Sequence, residues 1–168
     1  MPLETDRLLL TPLCPGDERW LWPFMSDPLT LYAWNEPYSY NRLSEWIGWS
    51  QACEAEFGLG RHLLRLKATG EVVGDCGFFW WEWQGRDLID AGWIVDRRHW
   101  RRGYATEAMR ALLPALFAQG HPEAWAKVPW TNTASWRTAL ALGFEPRGAF
   151  RYEGLRWDRM LLGRLGAP

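Results

Sequence analysis

Apolar and polar positions along this chain follow the two-residue period of strands in some segments and the longer period of helices in others. Arg7 to Leu13 predicts a first strand, after which Pro15, Gly16 and Asp17 open a short helix running to about Met25. Ser26 to Tyr40, with its prolines and aromatics, is a loop. A second helix is expected from Leu43 to Phe57, closed by Gly58 and Gly60. Leu63 to Ala68 and Val72 to Trp83 then flank the turn Thr69, Gly70, Glu71 as a hairpin, and Leu88 to Val95 forms the next strand. Connections this short cannot join parallel neighbours, so these strands form an antiparallel meander.

The clearest helical stripe follows. Ala105, Ala108, Met109, Leu112, Leu113, Leu116 and Phe117 recur at helical spacing, one continuous apolar face. Pro114 lies inside it and removes one backbone hydrogen bond, which predicts a kink or an early end. Gly120 and Pro122 stop the helix, Ala124 to Trp130 is a buried strand, and Thr133 to Leu142 is a helix closed by Gly143. Arg147 to Tyr152 and Trp157 to Leu165 make a last hairpin. Strand, helix and strand from Leu88 to Trp130 imply one parallel pair. The predicted class is α+β: a mixed, mostly antiparallel central sheet of six to seven strands flanked by about four helices.

Composition narrows the function classes. With 168 residues and 48% apolar content, the chain forms one domain, 1–168, able to bury a core. A net charge of −1 argues against attachment to nucleic acid through bulk basicity. The apolar runs Phe78 to Trp81 and Ala111 to Ala118 fall short of the ~18 residues of a membrane span. Met1 to Asp6 lacks a basic and apolar secretion signal, so a cytoplasmic location is expected. Cys14, Cys53 and Cys76 fit reduced thiols, and His62, His99 and His121 are scattered, so no metal site is expected. The 14 tryptophans are unusual. Adjacent strand residues face opposite ways, so Trp80 and Trp81 cannot both enter a one-sided core, and one of them is expected to line a surface or pocket. Trp20 to Tyr40 and Trp80 to Trp83 could build an aromatic pocket for an apolar or cationic amine, or an interface.

Candidate chemistry concentrates at the junction Asp96 to Ala108. Gly103 permits a sharp turn, small Ala105 lets a ligand approach, and the first turn of a helix offers unpaired N–H groups. Such a turn binds an anion, most naturally a phosphate. Arg97, Arg98, Arg101 and Arg102 add positive field. A solvated loop with an ordinary turn glycine is the plainer alternative.

Gly92 to Val95, then Trp100 Arg101 Arg102 Gly103 Tyr104 Ala105 Thr106 Glu107 Ala108, then Asn132 to Ser135 and Leu142 Gly143 Phe144, resemble the GNAT superfamily of acetyl-CoA-dependent N-acetyltransferases. The opening Glu4 to Leu13 resembles the subgroup that includes the ribosomal-protein N-terminal acetyltransferases. Trp100 stands where the family motif has Gln or Arg. The resemblance implies that the amides of Arg101, Arg102, Gly103, Tyr104, Ala105 and Thr106 hold the CoA pyrophosphate, and that the backbone of Trp93, Ile94 and Val95 pairs with the pantetheine arm like an added strand. It places Asn132 beside that arm, although Asn132 is equally suited to capping a helix. Ser135 would give a proton to the departing thiolate.

The implied reaction is attack by a neutral primary amine on the thioester, its carbonyl polarised by an N–H of Trp93 to Val95. Asp90, two residues before Gly92, and Glu82, at the end of the preceding strand, are the candidate bases; either could be a plain surface carboxylate. The acceptor is a protein or peptide N-terminus, or alternatively a small amine of antibiotic or polyamine type. A homodimer is compatible with the aromatic surplus. A reading of another class is a binding module in which aromatic faces and arginines grip single-stranded nucleic acid or a peptide.

Overall fold

A computed structural model of the chain describes residues 2–34, 36–151 and 159–168. Strands β1 (Leu3–Glu4) and β2 (Leu8–Pro12) lead into α1 (Glu18–Met25) and α2 (Tyr40–Phe57). The meander β3 (Arg61–Leu66), β4 (Val72–Trp83) and β5 (Arg86–Val95) follows. A 3-10 turn at Arg97–His99 precedes α3 (Tyr104–Ala118), then β6 (Glu123–Pro129), α4 (Thr133–Ala141), β7 (Glu145–Arg151) and β8 (Arg159–Gly166). All eight strands form one sheet in the order β1-β2-β3-β4-β5-β6-β8-β7. The α+β class and the four helices are as expected; the sheet has eight strands rather than six to seven. The extra strand is β1, whose two residues are too short to leave a periodic signature and are held by pairing with Leu9 and Leu10. Of the expected last hairpin, Tyr152 and Trp157 lie outside the described residues.

Every neighbouring pair is antiparallel except β5 and β6, which run parallel and meet in register only at Asp90 and Trp125. Beyond Asp90, β5 keeps its partners on β4, from Gly77 opposite Gly92 to Gly74 opposite Val95. Its other edge parts from β6. The parallel crossover demanded by α3 thus leaves a wedge-shaped opening in the middle of the sheet.

Local chemistry sets the helix limits. Ser39 accepts from the Arg42 N–H at 3.2 Å to start α2, one turn earlier than the apolar pattern suggested, because the cap and not the first apolar residue defines the start. The α3 helix runs through Pro114 to Ala118 without the expected early end. Its apolar stripe, buried at Ala108, Met109, Leu112, Leu113 and Leu116, packs on Leu8, Leu10, Leu64 and Ala126, which offsets the one lost bond. On the opposite face Leu21, Phe24 and Met25 of α1 and Leu43 and Ile47 of α2 enclose Leu63. A third, smaller cluster joins Leu88 and Trp125 to Trp81, Trp83 and Phe150.

The sheet is covered on both faces, so adjacent tryptophans can both pack. Trp80 stacks on Phe57 with centroids 4.4 Å apart, while Trp81 lies against Trp83 and Phe150. Cys14, Cys53 and Cys76 are free thiols. Among the described residues no three metal-ligating side chains gather, and no helix is long and apolar enough to cross a membrane.

Candidate active site

Gly103 sits at φ +80°, the left-handed conformation that ends the loop and starts α3. Arg101, at φ +63°, adopts the same conformation with a side chain attached, a strained turn. Among the described residues nothing accepts from the N–H groups of Arg101, Arg102, Gly103, Tyr104, Ala105 or Thr106; the first paired amide is Glu107, which bonds the Gly103 carbonyl at 2.9 Å. Six contiguous free donors at a helix start fit the diphosphate of CoA.

The four arginines divide. Arg97 Nε is spent on Asp27 at 2.7 Å, and Arg98 on Asp96 at 2.6 Å. Arg101 and Arg102 are exposed and, among the described residues, carry no ion pair, so they supply the field at the cradle. Trp100, at the motif position of Gln or Arg, donates from Nε1 to the Val95 carbonyl at 2.7 Å and packs edge-on to Tyr32. It ties the end of β5 to the loop, a positioning task that needs a donor and not a charge.

The opening between β5 and β6 is a cleft. Asp90, Gly92, Trp93 and Ile94 line it from β5; Lys127 lines it from β6; Asn132 and Ser135 line it from the start of α4. Asp90, Trp93, Ile94, Asn132 and Ser135 are therefore brought together as expected. Val95 lies just past this wall, its carbonyl already engaged by Trp100. Asn132 Oδ1 caps α4 by accepting from the Ser135 N–H at 3.1 Å, and also accepts from the Tyr32 hydroxyl at 3.0 Å. The cap presents Ser135 to the cleft on the first turn of the helix.

Asp90 is mostly buried, its side chain 16% exposed, with Lys127 Nζ 3.3 Å away. Burial pushes its carboxyl above the usual range, and Lys127 and Arg61 pull back part of that rise. A partly desolvated carboxylate in the cleft is equipped to take a proton. Glu82 is not brought to the cleft. It is exposed and accepts from the Gly85 N–H at 3.1 Å, closing the β4–β5 turn. The register explains the difference: Asp90 pairs with Phe79, whereas Glu82 is opposite Asp87, three steps toward the turn.

The rest of the wall contains residues that periodicity does not single out: Trp34 from the loop before α2, Trp46 from α2, Arg61 from β3 and Phe79 from β4. Only part of the suggested aromatic pocket is present here, since Trp80, Trp81 and Trp83 pack elsewhere, although the Lys127 ammonium stands 4.1 Å over the Trp81 ring. Lys127 had a signal: it is a charge amid the apolar residues of β6, where a buried cation needs a reason, whereas Arg61, at the start of a strand that also holds His62 and Arg65, had none.

Residues 7–145 match the family model of the acetyltransferase (GNAT) domain, so the chain belongs to the GNAT acetyltransferases and is an acetyl-CoA-dependent acetyltransferase. YkkB of Bacillus subtilis is 30% identical over 159 residues, spanning 94% of this chain and 90% of that protein. An acetyltransferase from Agrobacterium tumefaciens C58 superposes with a TM-score of 0.83 at 25% identity, covering 99% of this chain and 95% of the other. The ribosomal-protein-S5-alanine acetyltransferase of Vibrio fischeri shares the fold, with a TM-score of 0.81 at 15% identity over 99% and 96% of the two chains.

Proposed function

We propose that this chain moves the acetyl group of acetyl-CoA onto a primary amine in the β5–β6 cleft. The single observation that carries this reading is the convergence, on one opening in the sheet, of a free amide cradle, an unpaired strand edge, a partly buried carboxylate and a capped serine. Bound acetyl-CoA supplies an activated thioester. Its diphosphate belongs on the amides of Arg101 to Thr106, and its pantetheine arm beside the edge of Trp93 and Ile94 that lines the cleft, near Asn132.

Asp90 accepts a proton from the amine as the amine nitrogen bonds to the thioester carbonyl carbon. Ser135 gives its hydroxyl proton to sulfur as the carbon–sulfur bond breaks, and water returns the proton from Asp90 to Ser135. An N–H on the open edge of β5 stabilises the oxygen on which charge develops. An α-amine, with a pKa near 7.7 to 8.0, asks less of Asp90 than a lysine-type amine near 10.4. A peptide N-terminus and a small α-amine both meet that description.

Free-thiol release measured over a panel of peptides, polyamines and small amines tests the proposal. Acetyl-CoA-dependent thiol release with at least one amine is expected; tight oligonucleotide binding that falls steeply with salt, without CoA binding, favours the nucleic-acid module instead.

A further inference from the structure

We infer that the acceptor carries a carboxylate close to its amine and that Nη1 of Arg61 reads it. This rests on the transfer reading above and adds the chemistry of the acceptor to it. Arg61 is 3% exposed, at the start of β3. Its Nε donates to Asp75 Oδ1 at 2.9 Å, and Nη2 pairs with that carboxylate and also donates to the Asp75 backbone carbonyl at 3.4 Å. One side of the guanidinium is therefore spent on Asp75. Among the described residues no group accepts from Nη1. That nitrogen faces β5, because a Cβ added to Gly92 would stand 2.6 Å from it. Arg61 and Gly92 both line the cleft. The Trp46 and Phe79 rings, 5.0 and 5.4 Å from the guanidinium carbon, hold the group in place.

A buried guanidinium with one unused donor nitrogen lacks an acceptor that something entering the cleft can supply, and a carboxylate matches Nη1 in charge. Charge balance points the same way. Arg61 and Lys127 bring two positive charges to the cleft, while Asp75 and Asp90 bring two negative ones. A simple amine arrives largely as an ammonium at neutral pH and adds an uncompensated charge where solvent is scarce. An amino carboxylate adds none. The missing β-carbon at Gly92 is what lets Nη1 reach this wall of the cleft.

Acetylated products provide a probe that does not depend on turnover. Calorimetry on the CoA-saturated protein compares N-acetyl amino carboxylates, with one to three carbons between nitrogen and carboxylate, against the matching primary amides. At least one acid is expected to bind ten-fold or more tightly than its amide. Arg61→Lys keeps a positive charge opposite Asp75 but loses the second donor; it should abolish that preference with CoA affinity unchanged. With amine substrates the same preference should appear in KM more than in kcat. Acids and amides binding alike to the wild-type protein, no acid binding at all, or neutral amines turning over as well as amino acids, each overturn the role of Arg61. Should Arg61→Lys fail to fold, the wild-type comparison still decides. Absence of acetyl transfer to every amine, with an acid still preferred over its amide, would defeat the transfer reading and leave the Arg61 site standing.

Discussion

Arg7 and Glu107, one hundred residues apart, are joined twice: the Glu107 carboxylate accepts from the Arg7 backbone N–H at 2.9 Å and from its Nε at 2.6 Å. Thr5 Oγ1 adds a third bond to the same carboxylate at 2.5 Å, and the Arg7 guanidinium lies over the Tyr104 ring. The opening segment is thereby pinned to the first turn of α3. An acidic side chain so near the proposed diphosphate site would repel that group if it were free; here its charge is matched by Arg7.

Burial pushes the Glu107 carboxyl up, but the bonds from Thr5 and Arg7 outweigh it and hold the pKa below the ordinary value. A lowered folded-state pKa means stability that is present above the unfolded value and lost as pH falls through the folded one. Glu107→Ala should cost about 1–2 kcal/mol at pH 7, discounted because Arg7 is half exposed, and less at pH 3, below the ordinary glutamate value. Urea midpoints at the two pH values check this; an equal loss at both would assign the effect to packing instead of charge.

Gly103→Glu forces a side chain into the left-handed conformation, at about 1–2 kcal/mol, and sets a second carboxylate at the cradle. Acetyl-CoA affinity by calorimetry should fall at least ten-fold. Equal binding heats in variant and wild type would remove the diphosphate from this turn.

Replacing Asp90 by Asn should lower kcat by about two to four orders of magnitude with an α-amine acceptor. Because burial raises the Asp90 pKa, the acidic limb of the kcat/KM profile should lie above the ordinary aspartate value of about 3.9. That limb should vanish in the variant, and its persistence would move the base elsewhere.

Ser135→Ala should slow turnover ten-fold or more while KM for acetyl-CoA stays within about two-fold, since the Asn132 cap uses the Ser135 backbone and not its hydroxyl. An unchanged kcat would reduce Ser135 to a helix-start residue.

His62 offers a separate pH test. Burial, helped by Arg61, pushes its pKa down from 6.5 to about 4. Between those values the unfolded chain holds a proton that the folded chain does not, so stability falls as pH is lowered through that window. The loss can reach roughly 3 kcal/mol, from about 1.4 kcal/mol per pH unit. The difference in stability between pH 7.5 and pH 5 should shrink in His62→Gln; a difference as large as in wild type would assign the loss to other groups.

Contiguous features were legible before any coordinates. The α3 stripe, the turn at Gly103 and the Asn132–Ser135 cap each depend on residues within one helical turn of one another. Pro114 does not end the helix, because its lost bond is local whereas the packing that offsets it is not. Arg97 and Arg98 looked equivalent to Arg101 and Arg102; which pair stays free depends on Asp27, seventy residues away, and on the fold of the turn at Asp96. Glu82 and Asp90 are near each other on one hairpin, yet strand register sends one to the turn and the other to the cleft.

By itself the chain determined its layers, its parallel crossover and the sharp turn that opens α3, because period, turn conformation and capping are written in neighbouring residues. Only the tertiary structure decided which charges are spent and which remain, placing Arg61 with Asp75 and Lys127 with Asp90 around the splayed strands. Electrostatic pairing depends on distance through space and on burial, and neither is carried by spacing along the chain.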